Sequence, residues 1–267
     1  MAYERNPAYV PGQKAAYKIS RSKIDLFMQC PRCFWLDARL KISRPSSPPF
    51  QINKAIDTLM KKEFDAHRAA QTAHPLMKTY ELDLVPFQHA NIDIWRDVPR
   101  TGVEYLHPQT NLLIWGGVDD IWTDLKTGEL VIVDYKATSK AAEITLDAEW
   151  QNMYKRQLEI YQWLFRGNGF KVSDTGYFVY ANGRVDLDGF YDKVEFKTKI
   201  ISYTGSDSWV EPTIIKMKKV LDSDDIPEVG KNVMDSRKAC EFCSYAKARA
   251  QLTINNLQQR RLKVKTS

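Results

Sequence analysis

The run Leu112-Leu113-Ile114-Trp115-Gly116-Gly117-Val118-Asp119-Asp120-Ile121-Trp122, followed after a short polar break by Leu130-Val131-Ile132-Val133-Asp134-Tyr135-Lys136, decides the reading of this chain. Both runs are rich in β-branched and aromatic residues, and Lys126-Thr127-Gly128-Glu129 between them has the composition of a tight turn. Two such runs around a glycine-containing turn predict an antiparallel hairpin. Asp119 then lies near the end of the first strand, and Asp134, Tyr135 and Lys136 near the end of the second. Strand side chains alternate between faces, so Asp134 and Lys136 share one face while Tyr135 turns to the other and offers the first only its carbonyl. One face therefore holds two carboxylates and an amine.

Two aspartates and a backbone carbonyl form a hard-oxygen donor set suited to Mg or Mn, ions that prefer oxygen and keep waters for a substrate. An ion there lowers the pKa of bound water, and Lys136 beside it can orient that water or neutralise charge on a phosphoryl transition state. The chemistry indicated is phosphodiester hydrolysis. An isolated Asp-x-Lys tripeptide is common and is most often a solvated strand ion pair, so the context must carry the argument.

Outward from the hairpin, the spacing of Trp150, Met153, Tyr154, Leu158, Tyr161 and Leu164 predicts a helix over about 146–166. Tyr177 to Tyr180 and Phe190 to Tyr203 read as strands separated by an Asn182-Gly183 turn, and a helix follows from about Ser208 to Leu221. Upstream, a helix begins near Ser20 or Ser22 with Ile24, Phe27 and Met28 as its apolar stripe, and Cys30-Pro31 interrupts it. Ile52, Ile56, Leu59, Met60 and Phe64 give a second helix over 51–70. The first residues, through Lys18, read as an irregular arm, Pro45 to Pro49 as a linker, and Thr72 to Pro108 as short strands or loops. The chain ends in a polar loop, a cysteine pair and a basic helix. This order predicts a mixed α/β fold around a central sheet flanked by helices, without a doubly wound arrangement, repeats or a phosphate-binding glycine loop.

Hydrophobic residues make up 43% of the 267 and charged residues 27%, which excludes disorder throughout. No apolar stretch approaches the roughly 20 residues of a membrane helix, and Glu4, Arg5 and Pro7 do not fit a signal peptide, so a cytoplasmic protein with no membrane partner is expected. The net charge of +6 favours a polyanionic partner. Lys23, Arg32, Arg39, Lys41 and Arg44 near one cysteine pair, with Lys247, Arg249, Arg260, Arg261, Lys263 and Lys265 near the other, form one basic surface if the pairs meet. Trp95, Trp115, Trp122 and Trp163 read as core, and the four histidines have no ligand spacing.

The four cysteines occur as two C-x-x-C pairs, Cys30 with Cys33 and Cys240 with Cys243. Such pairs are more often metal ligands than disulfides in a reducing compartment, and two of them satisfy tetrahedral Zn. Joining them closes a loop of about two hundred residues, so the centre reads as structural.

Gly116-Gly117-Val118-Asp119 with Ile132-Val133-Asp134-Tyr135-Lys136-Ala137-Thr138 resembles the core signature of the PD-(D/E)xK nucleases, and within them the RecB-type exonucleases. Gln157-Leu158-Glu159-Ile160-Tyr161 is similar to their Q-x-x-x-Y motif. The resemblance implies a restriction-endonuclease-like α/β core and a Mg- or Mn-dependent DNA exonuclease of repair, recombination, or phage- and CRISPR-related processing. It implies Asp119, Asp134 and Lys136 as catalytic residues, and Gln157 and Tyr161 at the active-site rim against DNA. The upstream helix supplies a further ligand, often His, in such sequences. Asp57 stands there in this chain, with Glu63 as the rival.

The cysteines resemble those of the iron-sulfur exonucleases of CRISPR adaptation and AddB type, which implies a 4Fe-4S cluster. Those proteins place one cysteine before the core and three after it, whereas this chain has two and two, so Zn stays open. The expectation is one domain over 1–267, with a core of about 20–222 and a cysteine-bearing segment of about 235–267, acting on single-stranded or end-bearing DNA, with a helicase or recombination protein as a partner. The competing expectations are a catalytically weak DNA-binding module of the same fold, and a protein-recruiting scaffold.

Overall fold

A computed structural model of the chain describes residues 6–46, 50–98 and 100–265, with side chains described to residue 258. Residues 47–49 of the expected proline-serine linker lie outside the described residues. Two sheets organise the fold. The larger has five strands in the order β2 (Leu84–Pro86), β5 (Asp120–Asp124), β6 (Leu130–Thr138), β7 (Thr175–Gly183) and β8 (Phe196–Thr204). Its β6–β7 pair is parallel and the others are antiparallel, so the sheet is mixed. The smaller sheet is β1 (Tyr17–Ser20), β4 (Leu112–Gly116) and β3 (Val103–His107), with β1 parallel and β3 antiparallel to β4.

The predicted hairpin is β5–β6. Gly128 takes φ 70° in its turn, a conformation that glycine adopts without strain, and Asp124 Oδ1 accepts the amides of Lys126 and Thr127 at 2.8 and 3.0 Å. The apolar run before it is not one strand. It breaks at residues 117–119 and sends β4 and β5 into different sheets, so Asp119 precedes the second strand instead of ending the first. Apolar content cannot show such a break, because both halves are buried.

The helices cover both faces of the large sheet. β6 buries Val131, Val133 and Tyr135 against Phe64 of α3 (Gln51–Ala70), while Ile132 faces Leu158 and Leu164 of α6 (Asn152–Gly167). That alternation is the strand period applied to a strand buried on both sides. α1 (Arg21–Gln29) and α2 (Pro31–Leu40) meet at Cys30, with Pro31 starting α2, where a missing N–H is harmless. α7 (Val210–Asp222) adds Val210, Ile214 and Met217 to the α6 side of the core, and α8 (Glu241–Lys265) ends the described chain.

Other expectations shift. The arm before residue 20 contains β1, and the region 72–108 contains two short helices, α4 (Pro75–Thr79) and α5 (Ile92–Arg96), besides its strands. Asn182-Gly183 ends β7 and is not a turn; the chain reverses in the loop of 184–195, where Tyr191 and Asp192 take positive φ, and Phe190 to Glu195 is not strand. No described helix is long and apolar enough to cross a membrane.

Candidate active site and cysteine centre

The bend between the two sheets positions the first carboxylate. A side chain on Gly116 would come within 2.9 Å of the Tyr161 ring, and one on Gly102 within 2.5 Å of the Gly116 carbonyl oxygen, so both glycines are required by close approach. Tyr161 Oη donates to the Gly117 carbonyl at 2.5 Å. Asp119 Oδ2 in turn accepts the Tyr135 amide at 3.0 Å, which holds its carboxylate beside β6.

Asp134 is buried at 1% exposure and receives Gln157 Nε2 on Oδ1 at 2.7 Å. Its Oδ2 meets Lys136 Nζ as an ion pair but is left without a hydrogen bond of acceptable geometry. Burial, with the Asp119 charge adding to it against the pull of Lys136, pushes Asp134 up to about 7. Lys136 also lies 4.5 Å from the centre of the Tyr154 ring. Arg21 lies close enough for its charge to pull Asp134 and Tyr161 down, and among the described residues it pairs with no carboxylate. Nothing in its local sequence singled it out.

Asp57 lies on α3, paired with Lys61 at 3.0 Å. Burial pushes its carboxyl up, and the charge of Asp119 adds to this. Glu63, its rival, faces His74 Nε2 at 2.9 Å and is 64% exposed. The Tyr135 ring lies on the opposite face of the sheet, with Oη donating to Asp120 Oδ2 at 2.6 Å.

Tyr161 is 3% exposed and, bonded to the Gly117 carbonyl, shapes the bend. The basic residues near the first cysteine pair are committed internally: Arg32 and Arg39 donate to the carbonyls of Pro227, Leu221 and Ser223, Lys23 pairs with Asp37, and Arg44 reaches Gln29. Arg32, Arg39 and Arg44 thereby hold the C-terminal segment, while Lys41 stays exposed. The side chains of Arg260, Arg261, Lys263 and Lys265 lie outside the described residues.

A network missed in the sequence supports the site from behind. Fully buried Asp120 receives Arg68 Nη2, the Tyr135 hydroxyl and the Ile121 amide. Arg68 also donates to the Phe87 carbonyl, and Arg96 grips Asp65 with both terminal nitrogens at 2.8 and 3.0 Å. These charge-assisted bonds lock α3 and α5 onto the strand that follows Asp119.

The four cysteines meet. Their sulfurs lie within 4.8 Å of one another, with Cys30–Cys243 and Cys33–Cys240 at 3.7 Å and Cys33–Cys243 at 3.6 Å. The Gly230 amide donates to Cys30 Sγ at 3.2 Å and Arg44 Nη2 to Cys240 Sγ at 3.4 Å, donors that favour thiolates. Cys30 is pushed down to about 4, chiefly by the hydrogen bond from Cys33, whereas burial pushes Cys243 up. A side chain on Gly230 would strike the Gln29 carbonyl oxygen at 2.0 Å, so the segment before α8 packs directly on the α1–α2 junction. The donor set and its compactness fit a metal centre.

The family model of the PD-(D/E)XK nuclease superfamily matches residues 51–248, a span that contains the whole β5–β6 carboxylate pair and α6. The chain belongs to this superfamily. Membership implies a metal-dependent nuclease, and the superfamily's use of divalent ions agrees with a buried carboxylate oxygen left without a hydrogen bond beside a second carboxylate. No curated protein matches the chain. Among solved structures, that of SSO0001 is similar over 76% of this chain and 76% of its own, at 15% identity and a TM-score of 0.33.

Proposed function

We propose that this chain is a one-domain Mg- or Mn-dependent deoxyribonuclease, an exonuclease of single-stranded or end-bearing DNA, with Asp119, Asp134 and Lys136 at its catalytic centre. The observation that carries this reading is Asp134: a fully buried carboxylate within reach of the Asp119 charge and paired on one oxygen with the Lys136 ammonium. A buried carboxylate whose pKa is strongly perturbed marks a functional-site candidate, and two carboxylates against one ammonium leave a negative charge that a divalent cation balances. Asp119, Asp134 and the Tyr135 carbonyl would hold the ion, with Asp57 as the upstream ligand in preference to Glu63. A bound divalent ion supplies Lewis-acid polarisation of a phosphate oxygen and a water of lowered pKa. Lys136 presents its ammonium to the phosphoryl oxygens as charge develops, and Gln157 fixes the orientation of Asp134.

For the cysteine centre we propose a single tetrahedral Zn in place of the 4Fe-4S cluster. A Zn–S bond of roughly 2.3 Å sets tetrahedral sulfur separations near 3.8 Å, close to three of the separations here, and all four sulfurs lie within 4.8 Å of one another. In a cubane each thiolate bonds a different iron, which spreads the four sulfurs further apart. One equivalent of Zn in colourless protein supports this; a brown protein absorbing near ~400 nm refutes it.

The nuclease reading is tested by following end-labelled single- and double-stranded DNA with Mg or Mn, using wild type, Asp134→Ala and Lys136→Ala prepared in parallel. Cleavage confined to wild type supports it. Equal cleavage by all three, or DNA binding without cleavage by the metal-replete wild type, overturns it, the latter in favour of a binding module.

A further inference from the structure

The segment between β6 and α6 borders the Asp134–Lys136 site and is held in place at three points. The side chain of Asn182 clamps Lys140 from both sides, accepting its amide at 2.8 Å and donating to its carbonyl at 3.0 Å. Lys199 donates to the Ile144 carbonyl at 2.9 Å and pairs with Glu143 at 2.7 Å. Buried Gln151 accepts the Ala148 amide and donates to the Thr145 carbonyl. The anchored segment leads into the first turn of α6 and fixes Trp150.

Trp150 and Tyr154 are four residues apart and face each other edge-on, with centroids 5.5 Å apart and planes at 81°. Neither is buried like the core tryptophan Trp122; both are half-buried. Each ring carries a lysine: Lys136 Nζ lies 4.5 Å from the centre of Tyr154, and Lys140 Nζ 5.7 Å from that of Trp150. Outward from Asp134 the order is Lys136, Tyr154, Trp150, Lys140, two rings between two lysines.

We infer that Trp150 and Tyr154 form a base-stacking subsite for a single-stranded DNA substrate, with Lys140 holding a phosphate one step outside the carboxylate site. This rests on the nuclease reading for the identity of the site it adjoins. The physical reason is access. In a duplex both faces of a base are covered by its neighbours, so a protein ring can take a face only from an unpaired strand. Stacking on an aromatic ring tolerates any base, and a lysine beside each ring neutralises the phosphate that follows it.

The experiment is fluorescence anisotropy of a labelled oligothymidylate and of a matched blunt duplex, titrated with the full chain in EDTA, for wild type, Trp150→Ala, Trp150→Phe, Lys140→Ala and Asp134→Ala. Stacking energies per base predict that Trp150→Ala weakens single-strand binding by about 5-fold to about 150-fold, that duplex binding barely changes, and that Trp150→Phe restores most of the affinity. Lys140→Ala lowers the salt slope of single-strand binding by ~0.7. Unchanged single-strand affinity in a folded Trp150→Ala protein, or equal losses for strand and duplex, overturns the inference. Cleavage by the metal-replete wild type separates the two readings: Trp150-dependent strand binding by a wild type that never cleaves DNA leaves this subsite standing and removes the nuclease.

Discussion

Replacing Asp134 by asparagine removes a charge that the fold holds at a cost, so Asp134→Asn stabilises the metal-free protein while abolishing its activity. The carboxyl rises from 3.8 to about 7, with burial as the main cause. At roughly 1.36 kcal/mol per unit, that shift is a penalty on the order of 4 kcal/mol at neutral pH. The sign follows from the direction. Because the folded-state pKa is raised, the penalty is absent below about pH 4, where both states are protonated, grows between about pH 4 and 7, and is complete above that range. The substitution keeps an oxygen for Gln157 Nε2 to donate to, and it leaves Lys136, 15% exposed, without its counter-charge. The net rise already contains the opposing pull of Lys136, so the gain stays on the order of 4 kcal/mol. For a chain of this length, that gain raises Tm by about 8 °C. Differential scanning calorimetry in EDTA should show the variant melting above wild type near neutral pH, with the gap closing toward pH ~4. Mn should then raise the Tm of wild type and leave that of the variant almost unchanged. A variant that melts at or below wild type in EDTA at neutral pH refutes the account of Asp134 as a buried charge that Lys136 compensates only in part.

Arg68→Ala leaves Asp120 buried with its principal cation gone and should cost about 3 to 5 kcal/mol in denaturant unfolding, far more than an exposed pair such as Lys126–Asp83. Tyr161→Phe removes the hydroxyl that holds the Gly117 carbonyl and should lower stability by about 1 to 2 kcal/mol and slow cleavage, while DNA affinity by anisotropy stays at the wild-type value; a loss of affinity alone would return Tyr161 to the DNA interface. Cys240→Ser should release the cysteine-bound metal, read by elemental analysis, and lower Tm. The 230–240 segment, seated on Gln29 and Cys30, should become the first site of limited proteolysis, and a metal-free variant with unaltered Tm and cleavage pattern would contradict a structural centre.

Much of the site was legible in the sequence because its parts are local. Asp134 and Lys136 are two apart on one strand, the turn that returns β5 to β6 carries its own side-chain caps, and Gln157 lies on a helix whose period is plain. The C-x-x-C pairs likewise pointed to a candidate metal centre by spacing, and the periodic apolar residues of 51–70 marked the full extent of α3. Such features follow from backbone period and turn chemistry, which act over a few residues.

Only the tertiary structure decided where distant segments meet. It broke the apolar run at Gly117, because Gly102 and Tyr161 pack on that bend from remote positions, and it made Tyr161 a buried support. It gathered Arg68, Arg96 and Tyr135 around Asp120, brought Asp57 within reach of the Asp119 charge, and spent the N-terminal arginines on carbonyls of the C-terminal segment. The sulfur separations and the row of lysines and rings outside Lys136 are also long-range results. Burial and partner choice depend on what the rest of the chain places against a residue, and a local pattern of residue types carries no record of that.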